Sequence, residues 1–406
     1  MIPVDEALDR ILAALATHQS GVEDVSLAAG HGRVLAEDLA ARVMQPPAAL
    51  SAMDGWAVRA EDVAAIPARL RQIGYVPAGA LFDGTIGQGQ AVRVFTGAPI
   101  PRGADAVVMQ EDVDADGGEL TIRQAVKPGK HIRAAGLDFA LGEVTLKAGQ
   151  VLTARDLGLA AAMNHAWLGV RRRPRIGILA TGSEIVRPGD PIGPAQIVSS
   201  NSVALGALIA ASGGEAVQLG IAIDDDGTLR RMVASASGLD MLVTTGGASV
   251  GDHDLIRSSL GQDGLTLEFW KIAMRPGKPL IFGEIRGVPL LGLPGNPVST
   301  LVCSLIFLKP AIHAMLGLPP RPAKILRAAL TVAVGENDRR RDYLRAEYTV
   351  DKTGERTVRP FPSQDSSMVS VLSRANCLLI REPFAPALEI GAEVDILPFE
   401  IGGLPE

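Results

Sequence analysis

Three segments within residues 239–299 hold most of the side chains that could do chemistry. The first, LDMLVTTGGASVGDHD, runs from the apolar stretch Met241-Leu242-Val243-Thr244 into Gly246-Gly247, then to Ser249 and the acids Asp252 and Asp254. A strand that empties into glycines lets backbone N–H groups come close to an anion. The second segment, FWKIAMRPGKPLIFG, supplies the cations Lys271, Arg275 and Lys278. The third, VPLLGLPGNPVS, is a rigid turn through Pro294 and Pro297 that opens onto a helix. This mixture suits a pocket for a phosphate-bearing ligand with a metal ion beside it.

The candidate metal ligands are carboxylates: Glu184, Asp224, Asp226, Asp252 and Asp254. Mg²⁺ takes a few carboxylates and completes its shell with water and ligand phosphate oxygens, so the donor type fits. Helix N-capping is the competing reading, and for Asp225 and Asp226, just ahead of a helical pattern, it is at least as strong. No His or Cys set has zinc spacing, and no Ser–His–Asp or Cys–His set stands out. Neither GxxxxGK[ST] nor GxGxxG with a matched acid occurs, which excludes a P-loop or dinucleotide site by motif. Positioning and electrostatics around phosphate and metal remain as the means of catalysis.

These residues need elements to hold them. Beyond the basic stretch RRRPR at 171–175, strand-like and helix-like segments alternate: strand 176–180, helix 201–211, strand 216–223, helix 228–236, then strand 241–244. Such alternation predicts a parallel sheet with ligands at the carboxyl ends of its strands. Residues 181–184, 224–226, 246–254 and 294–297 all fall at such ends. Earlier in the chain, apolar spacing from Val4 to Leu15 predicts a helix, and residues 70–146 read as a small β-rich lobe with Gly and Pro turns. That lobe and its flank carry Asp54 in SAMDGWA, Thr96 in FTGAPIP, and Lys130, His131, Arg133 and Asp138 in one loop. Taken singly, these read as an Asp-Gly turn, a turn residue and a solvated charge group. Thr153 and Asp156 have capping-box spacing. After PPRP at 319–322 the text is strand-like and shows no catalytic constellation.

The 406 residues are enough for about three or four domains. The expected divisions are 1–43 with 144–172, a helical and linker domain; 44–143, the β-rich lobe; 173–318, the α/β domain; and 319–406, an all-β domain. A net charge of −6 and 4% aromatics argue against nucleic-acid binding, so any anion must be held by a local cation cluster. Cys303 and Cys377 lie far apart in apolar runs and read as buried thiols. The start, MIPVDEALDR, has no signal-peptide pattern. The apolar run 298–315, broken by Lys309-Pro310, reads as a core helix rather than a membrane span, so the expected location is cytoplasmic.

SAMDGWA, FTGAPIPRGADAVVMQED, GKHIRAAGLD, TGSEI, TTGGASVGDHD, KIAMRPGKP and LPGNPVS occur here in one order. That set closely resembles the MoeA-type molybdopterin molybdenumtransferases, the family of the gephyrin E domain. The resemblance implies a multidomain α/β fold with a MogA-like parallel-sheet domain. It implies an enzyme that takes adenylylated molybdopterin and molybdate, hydrolyses the adenylate with Mg²⁺, releases AMP and inserts the metal. It also implies a homodimer with the active site shared between subunits, and contact with the adenylyltransferase and with molybdoenzyme chaperones. No nucleic acid or membrane partner is implied. By motif, Asp54, Thr96, Arg133 and Asp138 would come from the partner's lobe. Glu184, Asp224, Asp254, Lys271, Arg275, Lys278, Ser249, Pro294 and Pro297 would come from the sheet domain, with Glu184, Asp224 and Asp254 on the metal and Gly246-Gly247 admitting the pterin phosphate.

Two positions depart from the family pattern. Ser199 stands in IVSSN where an Asp is frequent, and Arg275 stands where many members carry Lys. A guanidinium is a planar fork and an ammonium a point donor, so the second change alters geometry while keeping charge. The alternatives to metal insertion are a molybdopterin adenylyltransferase using ATP and a noncatalytic cofactor-binding scaffold.

Overall fold

The computed structural model describes residues 1–223, 225–246, 264–319 and 324–399, with Asp226 described by its backbone alone. The chain forms two compact units, Asp24–Val170 and Met1–Glu23 with Arg171–Glu406. The second unit begins with α1 (Val4–Leu15), which buries Val4, Ala7, Ile11 and Leu15 at helical spacing. By contacts this helix falls in the same compact unit as the later part of the chain.

The unit Asp24–Val170 is built on a six-stranded sheet. Its strands are β1 (Gly55–Val58), β2 (Ala68–Val76), β3 (Gln90–Val94), β4 (Ala106–Met109), β5 (Val113–Asp116) and β6 (Glu119–Ile122), in the order β4-β1-β3-β2-β6-β5. Period-two alternation gives the sheet two dry faces. Trp56, Val58, Leu70, Val108, Leu120 and Ile122 pack on one side, and Ala57, Val76, Val92, Val94 and Val107 on the other. A separate core around Leu35, Phe139, Leu152, Met163 and Leu168 seats α2 (Ala154–Ala162). Thr153 and Asp156 cap that helix reciprocally, as their spacing predicts.

The other unit contains the α/β sheet. Its elements are β7 (Arg175–Thr181), α3 (Asn201–Ala211), β8 (Glu215–Ala222), α4 (Asp226–Ala234), β9 (Met241–Thr245), β10 (Leu265–Phe269), β11 (Met274–Arg275), β12 (Ile281–Ile285) and β13 (Val288–Leu293). The sheet order is β8-β7-β9-β13-β12-β10. The first four strands are parallel, as strand–helix alternation predicts. β12 runs antiparallel to both its neighbours, β13 and β10; Arg286 and Gly287 both take positive φ (52° and 80°) and close β12 onto β13 in a two-residue hairpin. Arg172 and the backbone of Arg175, from the basic stretch, hold Asp240 through bonds of 2.6–3.0 Å, a structural use of that charge.

After β13 the chain forms α5 (Pro297–Cys303), a π-helical turn (Ser304–Leu308) and α6 (Lys309–Met315) without a break. Lys309 and Pro310 interrupt the apolar composition but not the helix, which is the core helix that the sequence predicts. The wider π turn lies directly ahead of Pro310, where the missing N–H and the ring would otherwise strain the regular ladder. Residues 297–315 are long and apolar enough to cross a membrane, but 61% of the most apolar window is buried in this unit, as in a core helix. The remaining strands, β14 (Leu326–Leu330), β15 (Arg341–Val350), β16 (Arg356–Pro360), β17 (Cys377–Arg381) and β18 (Glu393–Pro398), close on themselves through β15–β17 pairing, and β11 joins the edge of β15. A short helix, Val369–Arg374, accompanies this barrel.

Candidate active site

Parallel register fixes the carboxyl edge of the sheet. Thr181 pairs with Ala222, Ala180 with Thr245, and Thr245 with Leu293, so the loops after β7, β8, β9 and β13 leave from one line. Two of them touch. A Cβ at Gly246, whose φ is +90°, would lie 2.3 Å from the Thr181 carbonyl oxygen, and one at Gly295 would lie 3.4 Å from the Gly246 Cα. Asn201 Nδ2 donates to Thr245 Oγ1 (2.8 Å) and to the Gly295 carbonyl (2.7 Å), while Thr300 Oγ1 donates to the Pro294 carbonyl (2.6 Å). The turn between Pro294 and Pro297 is therefore fastened to the ends of β9 and α3. The glycine at 246 serves this close backbone approach.

Glu184 is exposed at this edge, and its carboxylate folds back over Gly182, where a Cβ would meet Glu184 Oε2 at 2.5 Å. Its carbonyl accepts from Ile197 N (2.8 Å), one rung of a short parallel pairing that carries the chain on to Ser199. Ser199 is buried, with its Oγ 3.3 Å from Ser202 Oγ. Asp225 is an N-cap: its carboxylate accepts from Thr228 N at 2.7 Å and is held below the usual carboxylate range by the Thr228 hydrogen bonds. Asp224, Gly247, Ser249, Asp252 and Asp254 lie outside the described residues, and the Asp226 side chain with them.

The three expected cations sit on one loop, closed by Ile272 N donating to the Lys278 carbonyl (3.1 Å). The amino-terminal segment pins its first arm, with Ile2 N on the Lys271 carbonyl (3.2 Å) and Ala273 N on the Ile2 carbonyl (2.8 Å). Lys271 Nζ lies 3.4 Å from the centre of the Trp270 ring. Gly277, at φ +113°, presses on Cys303: a Cβ there would be 2.4 Å from Sγ. Burial pushes the Cys303 thiol far up, which leaves it inert as the sequence reading expected. Arg275 is not a free cation. Its Nε donates to Asp342 Oδ2 (2.9 Å), and its Nη2 also reaches that oxygen. Asp342 raises the Arg275 guanidinium above its ordinary value, and burial raises the Asp342 carboxyl despite that partner.

In the other unit, strand pairing gathers the lobe residues. Ile132 and Arg133 pair with Ser51 and Leu50, Ala52 N donates to the His131 carbonyl (2.9 Å), and Asp138 N donates to the Gln45 carbonyl (2.9 Å). Asp54 and Thr96, 42 residues apart, meet directly: Asp54 Oδ1 accepts from Thr96 N (2.8 Å) and Thr96 Oγ1 (2.9 Å). These two bonds, with Arg93 nearby, hold the Asp54 carboxyl below its ordinary range. Asp54 is not a hairpin turn. Gly55 begins β1, and a Cβ there would stand 1.9 Å from the Val108 carbonyl oxygen. Arg133 and Asp138 are exposed on the same loop.

Several residues that position the site carry no motif signal. The Arg93 guanidinium lies over Trp56 (4.3 Å) and Phe95 (5.0 Å) beside Asp54. Arg345, 1% exposed, binds Gln364 Oε1 (3.1 Å) and the Asp365 carbonyl (2.6 Å). The same loop places Ser366 where its Oγ accepts from Asn296 Nδ2 (2.7 Å) and its carbonyl accepts from Val298 N (3.1 Å). The β-barrel, read from sequence as lacking a constellation, thus caps the turn at residues 294–297.

Three family profiles match in order along the chain: the MoeA N-terminal region (domains I and II) at residues 2–164, the "Probable molybdopterin binding domain" at 177–314, and the MoeA C-terminal region (domain IV) at 327–399. The protein named molybdopterin molybdenumtransferase from Haemophilus influenzae is 34% identical over 406 residues, covering 98% of this chain and 99% of its own length. Molybdopterin molybdenumtransferase 2 of Mycobacterium tuberculosis is 39% identical over 337 residues, covering 79% of this chain and 82% of its own. The crystal structure of a molybdopterin biosynthesis MoeA protein from Pyrococcus horikosii superposes with a TM-score of 0.86 at 32% identity, covering 98% of this chain and 99% of that one. The fold, the order of its regions and full-length similarity agree, and the protein belongs to the MoeA family, the molybdopterin molybdenumtransferases, enzymes of molybdenum cofactor biosynthesis.

Proposed function

We propose that this chain takes adenylylated molybdopterin and molybdate, hydrolyses the adenylate, releases AMP and leaves molybdenum on the pterin dithiolene. The observation that supports this reading best is the convergence of the loops after β7, β9 and β13 on one sheet edge, with Glu184 exposed among them. Lys271, Lys278 and the outward end of Arg275 would bind the phosphate and molybdate oxyanions. The candidate donors at that edge, Glu184, Asp224, Asp226, Asp252 and Asp254, are carboxylates, and this chemistry fits Mg²⁺. Glu184, Asp224 and Asp254 would hold the ion, which when bound neutralises charge on the phosphoryl oxygens. Asp54, kept ionised by Thr96, would orient the attacking water, and Arg133 and Asp138 would hold substrate beside it. In this reading the enzyme is a cytoplasmic homodimer, and the lobe of one subunit completes the site of the other.

Single-turnover AMP release tests the proposal. Purified protein is mixed with adenylylated molybdopterin and Mg²⁺, with and without molybdate, beside an Asp54→Ala variant. Release that depends on molybdate and is lost in the variant is the expected result. Pyrophosphate release from ATP would identify an adenylyltransferase instead, and pterin binding with no release would identify a scaffold.

A further inference from the structure

The Arg275–Asp342 contact is built in a way that a simple domain brace does not require. β11 runs parallel to β15 with Arg275 in register with Asp342, so the backbone places the two side chains together. Asp342 is 2% exposed, while the Arg275 side chain is 47% exposed. A carboxylate paired for stability offers both oxygens to the guanidinium fork. Here Nε and Nη2 converge on Oδ2, and Oδ1 is buried with no hydrogen-bond partner among the described residues. A buried unpaired carboxylate oxygen is costly, so the arrangement favours orientation over stability. Nε and Nη2 form the edge that meets Asp342, and Nη2 also lies 3.5 Å from Asn337 Oδ1. Nη1, on this half-exposed side chain, has among the described residues the longer 3.7 Å ion pair to Asp338, whose carboxylate also accepts from the Arg340 backbone N (2.8 Å) and Nη2 (2.9 Å).

We propose that Asp342, from the β-barrel, is a positioning residue that fixes the planar fork of Arg275 so that its outward end meets a substrate oxyanion. The inference rests on the reading of Arg275 as a substrate-binding cation. Its physical basis is that an arginine binds well only when its plane is aligned, whereas the ammonium of a lysine needs no such alignment. A chain with Arg at this position therefore gains from a side-on carboxylate.

The test compares the full-length wild type, Asp342→Asn, Arg275→Lys and the double variant, with Asp342→Ala as a harsher probe of the same contact. Two readouts are taken on each: the molybdate concentration for half-maximal AMP release, and calorimetric binding of tungstate as an inert oxyanion probe. Melting temperatures identify variants that fail to fold. In the Arg275 background, Asp342→Asn is expected to weaken both readouts roughly tenfold. In the Arg275→Lys background the same change is expected to shift them less than about twofold, because the group it orients is gone. Equal effects in both backgrounds, or no effect in the first, overturn the proposal. Wild type that releases no AMP overturns the transferase reading instead, and tungstate binding then decides the role of Asp342 alone.

Discussion

At the scale of single residues, the Asp54–Thr96 pair shows how this chain sets a charge. Asp54 is only partly exposed, and what burial it has pushes its carboxyl up; two hydrogen bonds from Thr96, helped by Arg93, outweigh that and stabilise the ionised form. A depressed pKa means that the carboxylate survives as pH falls and is lost only below its ordinary range. Thr96→Val keeps the backbone donor and removes the hydroxyl donor. The Asp54 pKa rises toward its ordinary value, and the acid limb of the AMP-release profile moves to higher pH while the neutral plateau changes less. A profile that drops uniformly at all pH values would show that Thr96 serves substrate binding and not the Asp54 charge. The hydroxyl–carboxylate contact was invisible in the sequence, because SAMDG and FTGAP lie 42 residues apart and each alone reads as a turn. Strand pairing between β1 and β3 brings them together.

At the scale of elements, the glycines act mainly on backbone spacing. Gly246-Gly247 reads from sequence as a place for an anion to approach. The structure shows that Gly246 admits the Thr181 carbonyl and the turn at Gly295. Gly246→Ala would combine a left-handed φ with a contact 1 Å too close, a cost of roughly 3 kcal/mol. The expected outcome is a lower melting temperature with β7 and β9 splayed at their carboxyl ends, and AMP release reduced more than unfolding accounts for. Unchanged release at a temperature where the variant is fully folded would refute this joint as part of the site. The strand–helix alternation was legible in the sequence because each amphipathic period is local, and α3 falls on residues 201–211 as read. The antiparallel edge was not: the Arg286-Gly287 turn that reverses the chain follows a segment that draws attention for its charges. The core helix at residues 298–315 was legible from its apolar run, but the π turn inside it was not, since a π turn has no sequence period of its own.

At the scale of the whole molecule, the candidate residues fall in both compact units: Asp54, Thr96, Arg133 and Asp138 in one, and Glu184, Lys271, Arg275 and Lys278 in the other. Under the proposed homodimer, each site takes its lobe residues from one subunit and its sheet residues from the partner. Asp54→Ala and Glu184→Ala would each abolish AMP release when alone, because every site in either homodimer is defective. Co-expressed with separable tags, they form heterodimers in which one site carries both substitutions and the other carries neither. Random pairing makes about half the dimers mixed, so the population holds about a quarter of the wild-type number of intact sites, and isolated heterodimers about half. Recovered release at those levels is therefore the expected outcome, and it should follow the heterodimer fraction through purification. A site built within one subunit cannot complement in this way, since each chain carries its own lesion into its own site. Heterodimers as inactive as their parents would place the lobe and sheet residues of each site on the same chain, and the shared-site proposal would be abandoned.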